Sequence, residues 1–161
     1  MRNCFFSIVI VAITATIFSC NPVVQKFDLS KTDTIVYTKF DYSPQGRTYS
    51  ITAQKDSLQL LVWNSGMDTL LSKSWPFSQD RFNALLKDLK NIKRKGARIT
   101  EPEMAERSRG EEIQLKNGEE RLFQGLDYGD IKDFEGADIA ISSLIPNVQD
   151  FVDQTRNKAA E

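Results

Sequence analysis

The chain has 161 residues, 40% of them hydrophobic, and its 21 Lys and Arg nearly balance 22 Asp and Glu for a net charge of −1. That balance gives no electrostatic footprint for nucleic acid. Histidine is absent, which removes the usual general base, the Ser-His-Asp and Cys-His arrangements and nearly all zinc sites.

The N-terminus reads Met1-Arg2-Asn3, then a mostly apolar run from Cys4 to Ser19. One basic residue, an apolar stretch and a small residue before a cut describe a secretory signal peptide. The run is too short for the helix of about 20 residues that spans ~30 Å of hydrocarbon. Cys20 follows the small Ser19, and Ile17-Phe18-Ser19-Cys20 resembles the lipobox of Bacteroidota-type bacterial lipoproteins. The resemblance covers residues 1–22, with Ile17 and Phe18 standing where the typical pattern has Leu and then Ala or Ser. It implies cleavage before Cys20, a diacylglycerol thioether on its sulfur and an acylated new N-terminus. The implied address is the cell envelope, with the protein anchored in the outer membrane and facing the periplasm or the surface. An ordinary signal peptide that ends near a cysteine is the plainer alternative. Two or more acyl chains exceed the single-chain threshold for stable attachment. The chain's cysteines are Cys4 and Cys20, so cleavage leaves no pair for a disulfide.

Residues 20–32 read as the lipidated cysteine and a tether, because they lack periodicity and Pro22 favours extended backbone. Residues 33–157 read as one α+β domain, and 158–161 as a frayed end. Thr34 to Tyr42 is rich in β-branched and aromatic residues, and Ser43-Pro44-Gln45-Gly46 punctuates it as a turn. Arg47 to Gln54 alternates with a period of two, the mark of a strand with one buried face. Lys55-Asp56-Ser57 leads into Leu58 to Trp63, and residues 64–68 turn the chain into Thr69 to Trp75. Four strands at close spacing with short turns predict an antiparallel meander.

Ser78 is placed to cap a helix, with Asp80 at the positive end of its dipole and Phe77 and Phe82 as a hydrophobic staple. Phe82, Leu85, Leu86, Leu89 and Ile92 make one apolar stripe. Lys90, Lys93, Arg94 and Lys95 complement the helix C-terminus, and Gly96 is a natural stop. Residues 97–112 form a charged loop holding Glu101, Glu103, Glu106, Arg107 and Arg109. Asn117-Gly118 predicts a type I′ hairpin with Ile113 opposite Leu122. Residues 127–135 are acidic and irregular. The last stripe contains Pro146, so one helix is expected to end near Leu144 and another to start at Pro146.

No serine has a lysine three residues on, as serine-lysine acyl enzymes require, and no Gly-rich phosphate loop follows a strand. Nothing calls for a cofactor. Asp127, Asp130, Asp133 and Glu135 miss the spacing of a calcium loop and read as solvated acids. A carboxylate-dependent hydrolase remains as a minor alternative, because a pair of acids at working distance is invisible in sequence. Trp63 and Trp75, with Tyr42, Tyr49 and Tyr128, offer either a stacking face or caps on the sheet core. Asp33-Thr34-Ile35, Asp56-Ser57-Leu58 and Asp68-Thr69-Leu70 resemble Asp-Ser/Thr-apolar O-glycosylation sites of the same bacteria, and equally resemble turns entering strands.

The expectation is a lipid-anchored, non-catalytic binding domain in the envelope. The sharpest version is an inhibitor or immunity-type protein against an envelope-acting, secreted toxin. The alternative is a glycan-binding or envelope-assembly accessory lipoprotein. The expected contact surface draws on the charged loop 97–112, Asp127, Tyr128 and Asp130, with Trp63 and Trp75.

Overall fold

A computed structural model describes residues 28–90, 109–127 and 136–157. Cys20, Ile92 and the basic cluster that follows it, Glu101, Glu103, Glu106, Arg107, Tyr128, Asp130, Asp133, Glu135 and residues 158–161 lie outside the described residues.

A 3₁₀ turn at Leu29–Lys31 leads into β1 (Thr34–Asp41), β2 (Thr48–Gln54), β3 (Ser57–Trp63) and β4 (Thr69–Pro76). Helix α1 (Gln79–Leu89) follows, then β5 (Arg109–Asn117) and β6 (Glu120–Asp127). Helices α2 (Ala137–Ser142) and α3 (Val148–Asn157) close the described chain. The fold is α+β: six antiparallel strands in the order β4-β3-β2-β1-β5-β6. Residues β1 to β4 form the expected meander. The later hairpin then joins the free side of β1, so the chain's first strand becomes internal and β4 and β6 become the edges.

Alternation explains which face is buried. Ile35 and Tyr37 lie in register with Ala53 and Ile51, which meet Leu58 and Leu60, and on the other side with Leu115 and Ile113. All eight are at most 3% exposed. Phe82, Leu85 and Leu89 of α1, Ala137 and Ile141 of α2 and Val152 of α3 join this cluster, so the helices cover one face of the sheet. The Ser78 hydroxyl accepts from Arg81 N–H as its position predicts, and Phe77 and Phe82 are both buried in the cluster.

Three expectations are corrected. Residues 109–112 are strand rather than loop, paired with β1 from Asp41↔Arg109 onward. The hairpin pairs Asn117 with Glu120, which makes Gly118 and Glu119 the loop. Only Gly118 there has positive φ, the pattern of a type II′ turn rather than I′. An extra residue at the bulge beside Leu115 then puts Ile113 opposite Gly125, not Leu122. Finally, α3 starts at Val148, because Asn147 takes a left-handed conformation just after Pro146 and breaks the path into the helix.

The sheet has two ends. At the entry end the chain arrives from Asp28, and the β2–β3 turn and the β5–β6 loop lie beside it: Asp33 N–H donates to Lys116 O, and Gly118 N–H to Asp33 Oδ2. At the far end lie the β1–β2 and β3–β4 turns and the first residue of β5. Arg47, only 9% exposed, spans that end. Its guanidinium donates to Gly46 O and Thr155 O, placing a cation at the negative end of α3. Gly46 is packed so closely that an added Cβ would stand 2.1 Å from Asp41 O. Gly46→Ala should therefore cost more than the roughly 1 kcal/mol typical of point changes. Urea denaturation checks this; a midpoint unchanged from the parent protein would contradict it.

Candidate functional site

The far end carries two of the three exposed large hydrophobic side chains among the described residues; the third, Ile139, is on α2. Tyr42 is 53% and Met67 66% exposed, and each sits on a turn whose backbone is held by acidic or amide side chains. Asp41 Oδ1 accepts from the backbone N–H and the hydroxyl of Ser43, and its other oxygen pairs with Arg109 Nε at 3.0 Å. In the β3–β4 turn Asn64 Nδ2 donates to Asp68 Oδ2, Asp68 backbone N–H donates to Asn64 Oδ1, and Met67 N–H donates to Asn64 O. Met67 has φ +67°, a region L side chains other than Asn and Asp seldom enter. Met67 is thus an exposed methionine in a strained backbone conformation.

Between these turns the rings continue onto the face opposite the described helices, where Phe40 and Thr48 are buried. Tyr42 stacks on Phe40 with centroids 5.4 Å apart. The Thr48 hydroxyl accepts from Asp41 N–H, and Thr48 lies in register with Trp63 across β2 and β3. Tyr42, Phe40, Thr48 and Trp63 thus run in a row toward Met67. Trp63 is half-buried.

The two tryptophans do not meet. Trp75 pairs with Leu58, on the helix-covered face, whereas Trp63 follows Val62 and points to the other face. Trp75 packs against Phe151 of α3 at 5.9 Å between centroids. A shared indole stack for a sugar is therefore not built. Tyr49 is likewise buried, in edge contact with Tyr37. Of the residues expected at a contact surface, Trp63 and Arg109 come together at the far end, and the backbone of Asp127 reaches it as the last residue of β6. Tyr42 was singled out only as part of the wider aromatic set. Met67 was missed, since nothing in Asn64-Ser65-Gly66-Met67-Asp68 distinguishes an exposed methionine from a buried one.

One polar cluster lies beneath this end on the helix side. Lys39 Nζ pairs with Glu111 at 3.1 Å, and Tyr37 hydrogen-bonds the same carboxylate. Burial, reinforced by the charge of Glu111, pushes the Tyr37 phenol far above its ordinary value; burial also raises Tyr49. Both therefore act as neutral hydrogen-bonding groups. Burial alone would lower the Lys39 ammonium, but the hydrogen bond and charge of Glu111 outweigh it and raise it. Among the described residues no three His, Cys, Asp or Glu gather to hold a metal ion, and no helix is long and apolar enough to cross a membrane. No protein-family model matches the chain, and neither a curated protein nor a solved structure matches it.

Two outcomes follow. Glycine relieves left-handed strain of roughly 1–2 kcal/mol but gives up part of it to unfolded-chain entropy, so Met67→Gly should stabilise by up to about 1 kcal/mol. A rise in Tm checks it, and a fall would contradict it. The Asp41 carboxyl is held below its ordinary value of 3.8: burial opposes ionisation, but the Ser43 hydrogen bonds and Arg109 prevail. A depressed folded value contributes stability above the unfolded value, lost as pH falls through the folded one. Asp41→Asn should thus lower the urea midpoint at pH 7 and narrow its difference from the midpoint at pH 2.5.

Proposed function

We propose that this chain is an envelope lipoprotein, anchored through Cys20, that works as a non-catalytic binding domain presenting its far end to a protein partner. The single observation carrying the reading is the placement of that end. β1 starts beside the tether, so a strand's length of sheet separates the anchor from Tyr42, Met67 and Trp63. Aromatic residues, methionine and arginine are the types enriched at protein interfaces. Here they surround an organised pair of turns rather than a closed pocket. Arg109 and Asp41 supply a charged rim.

An inhibitor or immunity-type role, guarding the cell against an envelope-acting toxin, fits this layout. Such a protein needs a rigid display surface and no reacting group, and a chain without histidine offers few of the usual ones. The alternative of a glycan-binding accessory is weakened by the separation of Trp63 from Trp75.

Cys20→Ser should move the protein from the membrane pellet to the soluble fraction; continued pelleting would refute the anchor. Photo-crosslinking in the native envelope, with a benzophenone amino acid at Met67 or at Glu119, tests the surface. A discrete protein adduct from position 67 and none from 119 is expected. The reverse pattern would refute the far end as the contact surface.

A further inference from the structure

A second surface lies at the entry end on the helix-covered side. A cleft of about 570 Å³ opens between the end of β4, the first turn of α1 and the link from α2 to α3. Leu58, Trp75, Leu144 and Phe151 make its apolar floor, with Arg81 and Ser143 among its polar groups. That volume is within the range of about 300–1,000 Å³ usual for ligand sites. Among the described residues Arg81 is the only charged one in the lining. Its guanidinium rests 4.9 Å from the Phe77 ring centre, and Lys73 Nζ rests 4.2 Å from that of Phe151. Among the described residues neither cation has a carboxylate within ion-pair distance. Two cations held over aromatic rings, beside an apolar floor, complement one ligand chemistry: an anionic head on a hydrocarbon chain.

The cleft's position selects the source. The strand order puts β4 three strands from β1, about 14 Å at the usual ~4.8 Å spacing. The residues from Cys20 to Phe27 reach at most roughly 28 Å when extended. A lipid anchored at Cys20 therefore leaves the cleft within reach of the same leaflet. The neighbouring surface, with Asp33, Asp56 and Glu119 around a shallow polar hollow, is not basic. Broad electrostatic docking is thus disfavoured, and a single bound molecule is the better fit.

We infer that the cleft takes one anionic phospholipid of the anchoring membrane, an acyl chain against Trp75, Leu144 and Phe151 and its phosphate on Arg81. This rests on the anchored-lipoprotein reading. It adds that the body is docked onto the bilayer by its entry end, leaving the far end outward.

The test uses the full lipidated chain, reconstituted in phosphatidylcholine vesicles with or without phosphatidylglycerol. A photo-reactive benzophenone amino acid replaces Leu144 in one sample and Met67, at the far end, in another. Mass spectrometry should find a phosphatidylglycerol adduct at position 144 and little lipid at 67. Arg81→Gln should reduce that adduct about tenfold, the loss expected for one charge-assisted contact. Arg81 is an exposed first-turn residue, and an unchanged Tm verifies that the variant keeps its fold. Equal labelling by phosphatidylcholine, labelling indifferent to Arg81→Gln, a peptide adduct, or no lipid adduct at 144 would each overturn the inference. The Cys20→Ser fractionation is independent, so the anchor can stand while this site fails.

Discussion

The structure depends on the double pairing of β1. Its backbone meets β2 on one side and β5 on the other, over six and eight residue pairs. An internal strand has no exposed ladder, so both its edges are satisfied and its inward side chains are sealed. Ile35 is 0% and Tyr37 2% exposed as a result. The first strand of the described chain is therefore among those most deeply fastened in the body.

The same pairing sorts the molecule into two ends with different chemistry. The entry end gathers the start of the described chain, the cleft and the N-termini of α1 and α3. The far end gathers two turns pinned by Asp41, Asn64 and Asp68, and the loop carbonyl that Arg47 grips. Each turn is organised by local side-chain to backbone hydrogen bonds, which hold loop geometry without using the core. That arrangement lets exposed side chains such as Tyr42 and Met67 be displayed on a stiff base.

The meander and the α1 cap were legible in the sequence because their signals are local. Alternation along residues 47–54, Ser78 before a 3.6-period stripe, and turn residues at 43–46 and 64–68 each depend only on near neighbours. The position of β5 was not legible. Its partner is the chain's first strand, some seventy residues earlier, and no local pattern encodes a pairing across that separation. The hairpin register failed for a related reason. Asn-Gly favours one turn, but Gly118 N–H also donates to Asp33 Oδ2, and the ladder takes up the shift as a bulge. Tertiary context outweighed the dipeptide.

The candidate surface was half legible for the same reason. Trp63 and Trp75 look equivalent in sequence, each at the end of a strand. Odd and even positions decide their fates: Trp75 shares the parity of Leu71 and Lys73 across β4, and so turns under α3 onto Phe151. Trp63 has the opposite parity to Val62 and stays on the face opposite the described helices. One aromatic residue thereby lies under the fold's helical layer, the other in the row leading from Tyr42 toward Met67. Both buried tyrosines are kept neutral by their surroundings. The described domain thus carries an apolar cleft at one end and exposed Tyr42 and Met67 at the other.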